Sequence, residues 1–391
     1  MLVQQGVGSG GGRWHVILCA SLLAVSAAAF QRTSGTAPHW MLAQPMHLAR
    51  SDATITLLRD GTVLIAGGLG PHGPLASAEV YDPRTHIWTR TGPLHVARYY
   101  HTATLLHTGQ VLVTGGQDAS HVLASAEVYT PRTHTWAMVA PMHDARTLHT
   151  ATLLRDGTVL VVGGSSQTTW GQASAEIYNP RTGQWHLTGH LIAGRSAHRA
   201  VLLPTGRVLV MGGDGTDSAD TLANIEVYDP RTGRWARARS LLFPRDTFTA
   251  TMLPSGRVLV AGVPGPIFLA RCHLIGQRCP YPPDAEVYDP LTQRSTPTGR
   301  ISTLRQGHTA TLLADGTVLV AGGNGGTCGN ANCPYVASAE IYQLRMNAWI
   351  PTKSMHHARI FAAAVRLHDG TVLVAGGSAA TTLSSTEIYE P

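Results

Sequence analysis

Seven versions of one octapeptide punctuate this chain and leave it few ways to fold. The stretch reads GTVLIAGG from Gly61, GQVLVTGG from Gly109, GTVLVVGG from Gly157 and GRVLVMGG from Gly206. A degraded copy, GRVLVAGV, starts at Gly256, and GTVLVAGG follows from Gly316 and again from Gly370. Successive copies lie 48, 48, 49, 50, 60 and 54 residues apart. A recurrence at roughly 45–50 residues marks stacked supersecondary units, none of which buries its apolar face alone.

Three further segments travel with each copy. Upstream is HTATLL, at His101, His149 and His308, with looser versions beginning at Asp52, His198, Phe248 and Phe361. Asp-Gly turns such as Asp60-Gly61 and Asp369-Gly370 join it to the octapeptide, a hairpin signal between apolar runs. Downstream is SAEVYDP and its variants, from Ser77, Ser125, Ser174, Asn224, Asp284, Ser338 and Ser385. A short strand then opens at Trp88, Trp136, Trp185, Trp235, Ser295 and Trp349, after an Asp-Pro-Arg-Thr type of turn whose proline pre-sets φ. Four antiparallel strands per unit predict a blade, and seven units predict an all-β, seven-bladed β-propeller. Continuous apolar octapeptides fit strands packed on both faces. The paired glycines Gly67-Gly68, Gly115-Gly116, Gly163-Gly164, Gly212-Gly213, Gly322-Gly323 and Gly376-Gly377 predict close backbone approach at the strand ends.

The two ends of the chain are complementary. The last unit stops at Pro391 after its third strand, and Trp40-Met41-Leu42-Ala43 supplies an unclaimed fourth. The ring is therefore expected to close by an N-terminal outer strand completing the C-terminal blade, which leaves no open edge. The propeller would span residues 38–391, after a short linker at 30–37. Residues 1–29 combine Arg13, an apolar run from Trp14 to Phe30 and Ala27-Ala28-Ala29, which reads as a secretory signal peptide, with an uncleaved membrane anchor as the alternative. The mature chain is expected to be secreted or at the cell surface.

These segments resemble the kelch repeat, a glycine pair followed by a tyrosine and a tryptophan at fixed distances. The wording HTATLL, DGTVLVAGG and SAEVYDP is similar to that of exported bacterial kelch-repeat proteins. The resemblance covers about residues 38–391 and implies a propeller of the galactose-oxidase-like fold. It further implies a binding or scaffold protein, with copper radical oxidase-like or carbohydrate-active chemistry as the alternative, since a minority of such propellers are enzymes.

Net charge is +6, Lys353 is the single lysine, and no run of basic residues occurs. Nucleic-acid binding calls for a clustered basic stripe, so it is not expected. In a symmetric array a residue present in every unit reads as structural, and a departure reads as a candidate site. Seven arginines (Arg50, Arg98, Arg146, Arg195, Arg245, Arg305, Arg359) precede the first strands, and seven glutamates (Glu79, Glu127, Glu176, Glu226, Glu286, Glu340, Glu387) sit in the third. Their equal numbers predict partly buried ion pairs fixing blade against blade rather than an anion-attracting ring. The recurring histidines are expected to be hydrogen-bonded core groups, with no metal or other cofactor. Asp214, Asp217 and Asp220 match no strong calcium spacing.

Departures cluster in units five and six. Unit five carries Phe248, Val263 and Ser295 in place of His, Gly and Trp, and a long loop with Cys272 and Cys279. Unit six has a Gly- and Asn-rich loop with Cys328 and Cys333. In an exported chain four such cysteines read as two disulfides with three possible connectivities, local pairing being expected. Long singular loops on a rigid scaffold are where binding resides. Trp170, Tyr281, Tyr335, Arg271 and Arg278 are accordingly the candidate contacts for a protein or glycan ligand, on a chain expected to be a monomer.

Overall fold

The computed structural model describes residues 37–217, 220–263, 284–325 and 334–391, and Ala37–Pro391 form one compact unit. Their regular structure is all β: seven four-stranded antiparallel sheets plus one two-stranded ribbon. Blade one runs outward from the axis through Thr54–Leu57, Val63–Ala66, Ala78–Asp82 and Ile87–Arg90. Each first strand touches the first strands of both neighbouring blades, and the circuit closes between Ala363–Arg366 and Thr54–Leu57. The ring closes as the chain ends require. His39–Ala43 pairs antiparallel with Thr386–Glu390, with Trp40 opposite Tyr389 and Leu42 opposite Glu387.

All seven second strands are buried at every position, which explains their unbroken apolar sequence. Between blades seven and one, Leu373 and Ile388 pack on Val63, Ile65 and Trp88. Outer strands such as Ile87–Arg90 face water except at the tryptophan. That tryptophan reaches backwards around the ring: Trp88 lies on Tyr81 of its own blade, centroids 5.0 Å apart, and its Nε1 donates to Thr386 Oγ1 of blade seven at 3.0 Å. Each tryptophan thus seals the joint between its own blade and the preceding one.

The glycine pair is a steric requirement. Gly67 and Gly68 sit at φ of 61° and 100°, and the Gly68 N–H donates to Arg98 O at 2.8 Å, tying blade one to the linker entering blade two. A Cβ would come within 2.6 Å of Arg98 O at Gly67 and of Ser51 O at Gly68. In blade five Val263 replaces the second glycine, and no bond of this kind to Arg305 occurs among the described residues.

The structure corrects the register of the innermost segment in two units. Arg50 and Arg359 align with Arg98, so the positions equivalent to His101 are Ala53 and Ala362, one beyond Asp52 and Phe361. Asp52 and Phe361 instead share the position of Tyr100, Leu148 and Ala197, all at φ between 51° and 55°.

Candidate functional site at the loop face

Alternating strand direction places the links between blades and the loops between second and third strands on one face. The Asp-Gly and Asp-Pro turns occupy the other. Beneath the loop face lie the seven arginines, all buried. Arg50 Nη1 donates to Gly67 O at 2.8 Å and Ser77 O at 2.9 Å, while Nη2 donates to Ser77 Oγ at 3.0 Å and Glu79 Oε1 at 2.9 Å. Glu79 also accepts from His47 N at 2.9 Å and Leu48 N at 3.2 Å, and its Oε2 lies 2.7 Å from His47 Nδ1. The arginine–glutamate pair recurs in all seven units, with N–O distances of 2.6 to 3.1 Å, through Nη2 in six and through Nε of Arg245 in blade five. Burial acts to raise the Glu79 carboxyl, but the His47 hydrogen bonds and the Arg50 charge outweigh it and hold the group below its usual value. Each pair fastens the incoming linker to its own blade, not blade to blade as the sequence suggested, and no arginine of this ring is presented to an anion.

The buried histidines do join blades. Thr54 Oγ1 lies 3.0 Å from His101 Nε2, and the corresponding pairs are Thr102 with His149 at 3.1 Å, Thr150 with His198 at 2.8 Å and Thr249 with His308 at 3.0 Å. Burial lowers His101 and His308 to about 3 and His149 and His198 well below the usual value, so the rings are neutral near neutral pH. His356 and His357 belong to the structural set, with Nδ1 atoms 3.0 and 3.4 Å from Glu387. Among the described residues no three His, Cys, Asp or Glu side chains are grouped to hold a metal ion.

Of the predicted contact residues, Trp170 and Tyr335 stand on this face, 55% and 44% exposed. Trp170 borders a cleft of about 500 Å³ with Tyr100, Gln117, His121 and Leu148. Tyr335 is tied back to Asn324 by an isolated bridge, at the base of the unit-six loop. Tyr281, Arg271, Arg278, Cys272, Cys279, Cys328 and Cys333 lie outside the described residues.

The axial mouth holds what sequence reasoning missed. Backbone bonds link several of its positions, from Ala197 N to Leu148 O at 2.9 Å, Phe361 N to Gly307 O at 2.8 Å and Asp52 N to Phe361 O at 3.2 Å. A cavity of about 190 Å³ opens there between Asp52, Arg199, Thr247, Phe248 and Phe361. Arg199 occupies the position that is Thr54, Thr102, Thr150, Thr249 and Thr309 in other units. Its guanidinium lies 5.7 Å from the Phe248 centroid, and Nη1 reaches His198 O at 3.2 Å. No carboxylate lies within 4 Å of it among the described residues. Burial lowers its pKa, against the opposing pull of Asp246. Across the same cavity burial pushes Asp52 up to about 6, although the Ser51 hydroxyl pulls it down. The legible signal was the change from HTATLL to HRAVLL at His198.

The opposite face is less uniform than its turns suggested. It carries a cleft of about 890 Å³ between blades four and five.

A family model described as the KLHDC2/KLHL20/DRC7 Kelch-repeats domain matches residues 52–262, more than half of the chain. No curated protein matches the sequence. Among solved structures, a fungal alcohol oxidase of the AA5 family, in complex with copper, superposes with a TM-score of 0.70 at 16% identity, covering 91% of this chain and 77% of its own. At that identity the likeness is one of fold.

Proposed function

The chain belongs to the kelch-repeat family, and from that premise we propose that it is an exported binding platform engaging a protein or glycan through its loop face. Kelch propellers serve mostly as such platforms, and the leader at residues 1–29 supports export. The observation that carries the reading is Arg199. The repeated arginines are matched by repeated glutamates, whereas this singular one faces the axial cavity without a carboxylate within 4 Å among the described residues. A guanidinium so placed favours a ligand with an acceptor group, a carboxylate or a sugar acid; Phe361 lines the same cavity, and Trp170 stands exposed elsewhere on the same face.

The test is capture from cell-surface extract and a glycan panel with the full chain, Arg199→Thr and Trp170→Ala. Arg199→Thr restores the residue of five of the six other units, so folding is expected to be unaffected. A partner held by the parent and lost by these variants supports the reading; one retained equally by all three sinks it. The second reading is copper-dependent oxidation of an alcohol; the structural neighbour is an alcohol oxidase in complex with copper, and the reading rests on the shared propeller. The described donor set does not fit copper, because the inner histidines are tied to threonines and a cation lines the axial mouth. Bound copper with peroxide production would favour that reading over ours.

A further inference from the structure

Blade five lacks the tryptophan that seals every other joint, and a cleft opens between blades four and five at that joint. Ser295 pairs with Tyr288 across the strands as Trp88 pairs with Tyr81. In blade one the indole of Trp88 packs with Leu367, Leu373 and Ile388 of the preceding blade. The equivalent side chains behind blade five are Leu203, Leu209 and Val227, and all three line the 890 Å³ cleft together with Tyr288. The volume exceeds that of a single indole ring, so the seat continues outward to the rim.

Two buried polar atoms at this joint are orphaned, and one of them belongs to Tyr288, a lining residue of the cleft. The Tyr288 side chain is fully buried, yet its hydroxyl has no hydrogen-bond partner, and neither does Ser295 Oγ. Elsewhere the same hydroxyl is satisfied: Tyr228 by Thr188 at 2.7 Å and Tyr389 by Thr352 at 3.0 Å, in both cases from the preceding blade. In blade four that position is Ala238, another lining residue of the cleft. A buried unpartnered hydroxyl in a mainly apolar cavity is costly and is relieved by a ligand atom that can bond it.

The rim supplies charge. Arg207 and Arg257 are paired with Asp229 and Asp289, at 3.2 and 3.6 Å. Arg234 and Arg237 are exposed, line the same cleft and have no carboxylate within 4 Å among the described residues. The rim is therefore cationic while the floor is apolar.

We propose that the cleft between blades four and five binds a small planar aromatic carboxylate. The ring occupies the seat of the missing tryptophan, a polar ring atom meets the Tyr288 hydroxyl, and the carboxylate reaches Arg234 and Arg237. The cleft lies on the turn face, so the inference is independent of the loop-face function.

The experiment is calorimetric titration of the full chain with indole-3-acetate and with indole. Saturable binding is expected, weaker for indole because it lacks the carboxylate. Ser295→Trp fills the seat with the protein's own ring and is expected to weaken binding at least tenfold. Tyr288→Phe keeps the shape, removes the hydroxyl and is expected to weaken it about fivefold. No saturable binding of either probe, or unchanged affinity in folded Ser295→Trp, overturns the proposal. Should that variant not accumulate, unchanged affinity in Tyr288→Phe overturns it instead. Equal affinity for the two probes removes the carboxylate from the assignment.

Discussion

Blades two and five are built on the same four strands, one with every repeat residue and the other with several removed. Blade two has His101, Gly115-Gly116 and Trp136, where blade five has Phe248, Gly262-Val263 and Ser295. Both keep the arginine–glutamate pair, Arg98 with Glu127 at 2.8 Å and Arg245 with Glu286 at 3.1 Å. The difference separates what a blade cannot lose from what it can. Loss of a tryptophan or a glycine forfeits packing or a single bond and opens space. Loss of one partner of a buried pair strands a charge, which the surroundings cannot compensate.

The sharpest way to break this comparison is to remove the pair from each blade. Arg98→Ala and Arg245→Ala are both expected to destabilise by about 3–5 kcal/mol, measured by chemical denaturation. If Arg245→Ala were tolerated, blade five would be a dispensable element rather than a reduced one. Trp136→Ser gives blade two the residue of blade five and should cost about 3–5 kcal/mol, since the site between blades one and two is packed around that ring. A cost near zero would mean that the tryptophan does not seal the joints. Gly116→Ala should cost about 1–3 kcal/mol, because φ is 87° and a Cβ would lie 2.6 Å from Tyr99 O. Val263→Gly in blade five should change the same denaturation midpoint far less.

The last effect is one of pH. Each buried histidine is depressed when folded, so below the unfolded pKa of about 6.5 the unfolded chain takes up a proton that the native chain refuses. Stability is fully present above that value and falls as pH drops from about 6.5 toward the folded values, about 3 for His101 and His308. The slope is roughly 1.4 kcal/mol per pH unit for each histidine. Asp52, Asp214 and Asp284, raised to about 6 mainly by burial, act in the opposite sense between about 6 and 4. His308→Phe borrows the residue that blade five already has at Phe248 and should shallow the acid slope by one histidine. An unchanged slope would place the acid sensitivity in the carboxylates.

Much of this was legible in the residues because it is periodic. Seven octapeptides counted the blades, and the unclaimed strand at Trp40 identified the closing partner of Tyr389. Seven arginines beside seven glutamates announced a pairing, though not that Glu79 would also gather the His47 and Leu48 amides and so bind linker to blade. Ser295 was visible as a departure, but a serine in a list of tryptophans says nothing of volume. Arg199 was overlooked because it hides inside a weakened copy of HTATLL.

The sequence by itself determined the number of blades, their strand order and the residues that repeat, since these follow from local pattern, turn chemistry and count. Tertiary structure alone decided where the departures meet. Ring closure brings Asp52 of blade one to the same cavity as Arg199 of blade four, and sets Tyr288 against Leu203 and Leu209 of the blade before it. Such convergence depends on the curvature of the whole ring, which no single unit encodes.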